Sequence, residues 1–69
     1  MAYFSNAKEG DKVHCTRFGD GVITMFFADM HYALMVTFES GKDIPYTIDG
    51  IPALDEVEEQ TLFYKDEKG

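Results

Sequence analysis

Thr16-Arg17-Phe18-Gly19-Asp20-Gly21-Val22-Ile23 is the stretch on which the fold of this chain turns. An aromatic residue precedes two glycines that flank an aspartate, and two β-branched apolar residues follow. Such a run is either a phosphate-gripping loop or a tight turn between two strands. Phosphate loops take the form G-x-x-x-x-G-K-[ST], or G-x-G-x-x-G at a strand-to-helix turn. Gly19-Asp20-Gly21 meets only the first three positions of the second form, and the continuation VITMFF (22–27) has strand character. No helix N-terminus stands ready for a phosphate, and Asp20 would repel one. The turn reading prevails: Gly19 and Gly21 form a tight β-turn, with Phe18 covering one end of the core beside it.

Working outward, five apolar segments are separated by turn signals: 12–18 (KVHCTRF), 21–28 (GVITMFFA), 33–40 (ALMVTFES), 42–49 (KDIPYTID) and 61–66 (TLFYKD). Each is rich in Val, Ile, Thr, Phe and Tyr and alternates with period two, the signature of half-buried strands. Leu34, Val36 and Phe38 fall on one face, as do Ile44, Tyr46 and Ile48. Ser40-Gly41 predicts a two-residue hairpin, because a primed turn needs positive φ and Gly41 supplies it. Pro45 cannot donate to a ladder, which places the fourth strand at an edge or a bulge. GIPALDEVEEQ (50–60) reads as a long acidic loop with one short helical turn, Pro52 at its first position. The expected fold is therefore all-β: a small five-stranded SH3-like (Tudor-like) barrel with that loop before the last strand. One domain spans 1–69, the barrel covers about 10–66, and residues 1–7 and 67–69 are expected to be flexible.

Bulk properties narrow the function. A chain of 69 residues holds one domain and buries only about 60% of its unfolded surface. Thirteen acids against six bases give a net charge of −7. Asp49 to Gly69 holds seven acids against Lys65 and Lys68, a net of −5, whereas residues 1–48 hold six acids and four bases, a net of −2. That field opposes nucleic-acid backbones, whose affinity for proteins comes mainly from Lys and Arg. The lone Cys15 forms no intramolecular disulfide and suits a cytosolic setting. The N-terminus lacks the charged start and apolar core of a signal peptide, and no run approaches the roughly 20 apolar residues of a membrane span.

Reactive chemistry finds little support in the residues. His14, Cys15 and His31 are the soft ligands besides methionine, and they lack paired zinc spacing. His14 and Cys15 are neighbours on a strand and point to opposite faces. Cys15 shares the core face with Val13, where a thiol is inert. Carboxylate pairs are unavoidable among thirteen acids and carry no weight. We therefore expect no enzyme, no metal and no cofactor.

The apolar inventory says more. A barrel this small needs roughly a dozen inward residues. Val13, Cys15, Val22, Ile23, Leu34, Val36, Phe38, Ile44, Ile48 and Leu62 nearly supply them. Met25, Phe26, Phe27, Met30, Tyr32, Met35, Tyr46, Phe63 and Tyr64 are left over. Either they form a second small core under the 50–60 loop, or they make an interface, where aromatics and methionines are enriched. Of Met25-Phe26-Phe27, at least one must face outward.

GDKVHCTRFGDGVITMF (10–26) followed by LMVTFESG (34–41) resembles the opening of Tudor-like and SH3-like barrels. It is similar to the C-terminal domain of bacterial repair helicases of the UvrD/PcrA type, and to the RNA-polymerase-interacting domain of CarD-type regulators. Gly10, Asp11, Val13, Phe18, Gly19, Gly21, Val22, Ile23, Val36 and Phe38 carry the likeness. The second half departs from that pattern. With its Y-T-x-D-G and closing T-L-F-Y it looks like small proteins of bacteriophages and prophages. The resemblance implies a phage or prophage accessory protein in a bacterial cytoplasm, with docking on RNA polymerase or another host nucleic-acid enzyme among its roles.

The reading that follows is a non-enzymatic protein-interaction module, docking on host transcription or repair machinery or self-associating. Its surface would comprise Met25, Phe27, Met30, Tyr32 and Met35, with Asp55, Glu56, Glu58 and Glu59 steering basic partners. Two other classes stay open: an acidic DNA mimic acting against host defence, and a small-barrel nucleic-acid binder that stacks bases on its aromatics.

Overall fold

The computed structural model describes residues 2–65; the expectations for residues 66–69 lie outside them. Five strands form: β1 (Lys12–Cys15), β2 (Gly19–Phe26), β3 (Leu34–Phe38), β4 (Asp43–Tyr46) and β5 (Leu62–Tyr64). They pair antiparallel in the order β4-β3-β2-β1-β5. The sheet curls into a half-barrel, as expected for a small SH3-like barrel. Four strands are shorter than their apolar segments, because the turns claim the ends; β2 keeps its segment's length but begins two residues earlier, at Gly19. Alternation places the core as anticipated: Val13 and Cys15 of β1 and Leu34, Val36 and Phe38 of β3 are buried.

Strand β2 departs from simple alternation. Ile23 faces Val36 across the ladder, yet Met25 faces Met35, so Thr24 is an extra residue and makes a β-bulge. A bulge inverts the inward–outward phase of everything beyond it. Ile23 is buried, Met25 is exposed, and Phe26 packs against the core opposite Leu34. The Thr24 hydroxyl donates to the Met35 carbonyl at 3.2 Å. It also lies 3.4 Å from the Thr37 hydroxyl, which donates to Asp43 at 2.7 Å.

The glycine turn needs two corrections. The turn itself is residues 16–18; Gly19 opens β2 opposite Cys15 and, unlike Gly21, has a left-handed backbone with φ of +88°. Gly21 lies inside β2, paired with Val13 and Phe38, and its φ is not positive. Its requirement is space: a Cβ there would meet the Phe38 ring at 2.7 Å and the Thr37 carbonyl at 2.9 Å. The β3–β4 turn is also not a two-residue primed hairpin. Among the described residues no residue other than glycine has positive φ, which excludes that turn at Ser40. Gly41 donates to the Phe38 carbonyl and Phe38 donates to that of Lys42, both at 2.8 Å. Glu39, Ser40 and Gly41 thus make a three-residue loop with Gly41 in the left-handed position.

Neither outer edge of the sheet is bare. On β4, Ala53 N–H donates to the Pro45 carbonyl at 3.0 Å and Tyr46 bridges to Pro52. Pro52 therefore extends the sheet edge and does not start a helix; 50–60 has turns but no helix. On β5, Gly50 accepts from Leu62 N–H at 3.2 Å and from Thr61 N–H at 3.1 Å. Tyr64 N–H donates to the Tyr3 hydroxyl at 3.1 Å.

That last contact corrects the expectation of a flexible start. Phe4 and Ala7 are buried, and Phe4 N–H donates to the Ile48 carbonyl at 3.0 Å. Tyr3, Phe4 and Tyr64 form an aromatic cluster with ring centroids 4.7 to 5.4 Å apart. The barrel is too small to fill its own open side, so the N-terminal segment closes it. Tyr46, counted as surplus, is also wholly buried, while Val22 is only half-buried, since it and Ile23 cannot share a face.

Phe4→Ala should lower stability by about 3–5 kcal/mol, read by urea unfolding; a wild-type midpoint would mean the terminus is not part of the core. Gly50→Ala should cost at least about 1–3 kcal/mol. Gly50 has φ of +86°, and a Cβ there would lie 2.8 Å from the Leu62 carbonyl.

Candidate functional site

The large hydrophobic side chains that stay exposed among the described residues are Met25 (47%), Phe27 (47%), Met30 (58%) and Tyr32 (44%). All four belong to the far end of the β2–β3 hairpin. The bulge turns Met25 outward, where it pairs with half-buried Met35, itself opposite Pro45 of β4. An apolar row thus runs Met25–Met35–Pro45 across the outer face of three strands. Beyond it, Phe27 N–H donates to the Ala33 carbonyl at 2.7 Å, and Met30 N–H donates to that of Phe27 at 3.1 Å. Ala33 is buried. The loop backbone is therefore anchored while its large side chains remain in solvent. His31 stacks edge-on against Tyr32, with centroids 4.6 Å apart.

The five apolar residues singled out from sequence are thus gathered at one place. The four acids are not there. Asp55, Glu56, Glu58 and Glu59 are exposed on a loop anchored by buried Val57. They border surface hollows that share Arg17, in the turn between β1 and β2. That turn precedes β2, whereas the hydrophobic tip follows it, so the two features occupy opposite ends of one strand. The surplus apolar residues divide likewise: Tyr46 and Phe26 go to the main core, Tyr64 joins Tyr3 and Phe4, and the hairpin residues go to the surface.

Alternation in β1 sends His14 outward and Cys15 inward, as expected. Cys15 is fully buried and receives a hydrogen bond from the Tyr46 hydroxyl at 3.1 Å. It also contacts Thr61 Oγ1 at 3.4 Å and accepts from Arg17 N–H at 3.4 Å. Burial pushes the thiol's pKa up, but these hydrogen bonds outweigh it and the net value lies below that of an ordinary cysteine. The same burial, with the sulfur beside it, drives the Tyr46 phenol far above its usual range. The polar tip of the largest core side chain is thereby satisfied, which burial of a tyrosine requires. No helix is long and apolar enough to cross a membrane among the described residues.

On the outer face of β1 and β2, Asp20 is held by His14 Nδ1 at 2.7 Å and by Lys65 Nζ at 2.9 Å. Sequence reading placed Asp20 only in the turn; its register opposite His14 follows from the pairing of β1 with β2. The hydrogen bonds from His14 and then Lys65 lower its carboxyl pKa. No protein-family model, curated protein or solved structure matches this chain.

A lowered native pKa means that the carboxylate's stabilisation is complete above the ordinary aspartate value of about 3.9. It is lost as pH falls through the lowered native value. Asp20→Asn should therefore be less stable than wild type at pH 6, and the gap should close towards pH 2. A gap independent of pH would show that the side chain acts by something other than its charge.

Proposed function

We propose that this chain is a non-enzymatic protein-interaction module that docks through the tip of the β2–β3 hairpin, with Met25, Phe27, Met30, Tyr32 and Met35 as its contact residues. The observation that carries the reading is the segregation of the exposed hydrophobics. In a chain too short to fill its core without help from its N-terminus, four large apolar side chains at one end of a single hairpin stay exposed. Contiguous apolar surface on a small domain marks a contact site. Methionine and aromatic side chains suit that task, because they adapt in shape and bring large contact area. Both sheet edges are occupied by the chain itself, which disfavours recognition by strand addition.

The partner class comes from the sequence resemblance. Barrels similar to this one dock on RNA polymerase, and the second half looks like small phage and prophage proteins. The reading is thus an accessory protein in a bacterial cytoplasm, acting on host transcription or repair machinery. The acidic loop lies away from the tip and steers encounter without making the contact.

Phe27→Ser and Met30→Ser should leave stability within about 0.5 kcal/mol of wild type. Phe26→Ser, one residue earlier but packed on the core, should cost about 1–3 kcal/mol. Light scattering over a range of concentrations should give the monomer mass. A dimer that dissociates on Phe27→Ser would assign the tip to self-association and overturn docking on a partner.

A further inference from the structure

We infer that the surface receiving the hairpin tip is an apolar protein cleft bordered by lysine or arginine, and that a second copy of this chain does not fit it. The inference rests on the docking reading above and specifies its partner's chemistry.

Asp29 sits in the loop between Phe27 and Met30 and is exposed. A surface that closes over Phe27 and Met30 meets an acid in the same short loop. A carboxylate moved out of water without a partner incurs a large penalty, and a cation with hydrogen bonds offsets it. The hairpin has no lysine or arginine to offer, and its one ring base, His31, is stacked edge-on against Tyr32. From Phe18 through Gly41 the chain carries no lysine or arginine. Asp20, the other aspartate of the hairpin, is already engaged by His14 and Lys65. A lysine or arginine for Asp29 has to come from the partner.

The same facts weigh against self-association. A two-fold dimer places the same patch on both sides of the interface. Tip against tip would bring Asp29 towards Asp29 with no lysine or arginine from either hairpin. The net charge of −7 on each copy adds repulsion at long range. A basic-rimmed cleft reverses both terms, speeding encounter and pairing the carboxylate at contact.

The test is a random peptide library displayed on particles and selected against the immobilised full-length protein. The expected peptides combine large apolar residues with lysine or arginine. Their binding should fall at least about tenfold with Phe27→Ser and with Asp29→Asn, and should weaken as sodium chloride rises. Circular dichroism confirms that both variants are folded. Peptides that need Phe27 but ignore Asp29 and salt would overturn the inference and leave hairpin docking standing. A selection yielding no peptide dependent on Phe27 or Met30 would overturn the docking reading itself. Concentration-dependent dimerisation abolished by Phe27→Ser would overturn both.

Discussion

The extra residue at Thr24 sets the phase of β2, and most of the molecule follows from that phase. Ile23 must face inward, since it lies opposite Val36 in the middle of the sheet. Without a bulge, Met25 would share its face and Phe26 would be expelled. With the bulge, Phe26 packs inward and Met25 moves outward beside Met35. The threonine hydroxyl then holds the Met35 carbonyl, giving the irregularity a hydrogen bond of its own. A single inserted residue thus decides which large side chains stabilise the fold and which remain for contact. A bulge also adds twist, which a short sheet needs in order to curl.

Closure is the second constraint. Five short strands cannot enclose a core alone, so the chain uses its non-strand segments as walls. Gly50 joins the end of β4 to the start of β5 through its carbonyl, and Phe4 packs against it from the N-terminal side. The Tyr3 hydroxyl and the 51–53 segment occupy the backbone groups of the two edges. Edges satisfied in this way are poor templates for unwanted pairing with other chains. The same arrangement leaves the hairpin tip as the exposed apolar feature among the described residues.

Separation of charge from hydrophobic surface gives the proposed function its character. The acids of the 55–59 loop gather beside Arg17 at one end of β2, and the methionine and aromatic side chains at the other. In the proposed reading, attraction at a distance and contact at close range fall to different residues. Asp29, exposed in the loop between Phe27 and Met30, is the exception there. Cys15 takes no part, since its sulfur is locked under Tyr46 and Thr61.

Much of this was legible in the residues. Period-two alternation in KVHC and LMVTF identified β1 and β3 with their inward faces, because a side chain's direction in a regular strand follows from its position alone. Counting what a small barrel cannot hold leaves nine large apolar residues, among them the exposed Met25, Phe27, Met30 and Tyr32 but also Phe26 and Tyr46, which the core takes. Other features had no local signal. Nothing in VITMFF says where the extra residue falls, since a bulge is chosen by the partner strand's register. Phe4 reads as a loose terminus until a gap of its shape exists in the barrel, and Gly50 looks like an ordinary turn glycine until β5 arrives beside it. Gly21 reads as a turn glycine beside Gly19, when its need is room for the Phe38 ring. The sequence by itself determined the strands, roughly where the chain turns between them, and the surplus of apolar surface, because these depend on neighbours along the chain. Tertiary structure decided which residues are core, closure or contact, because those roles depend on neighbours across space.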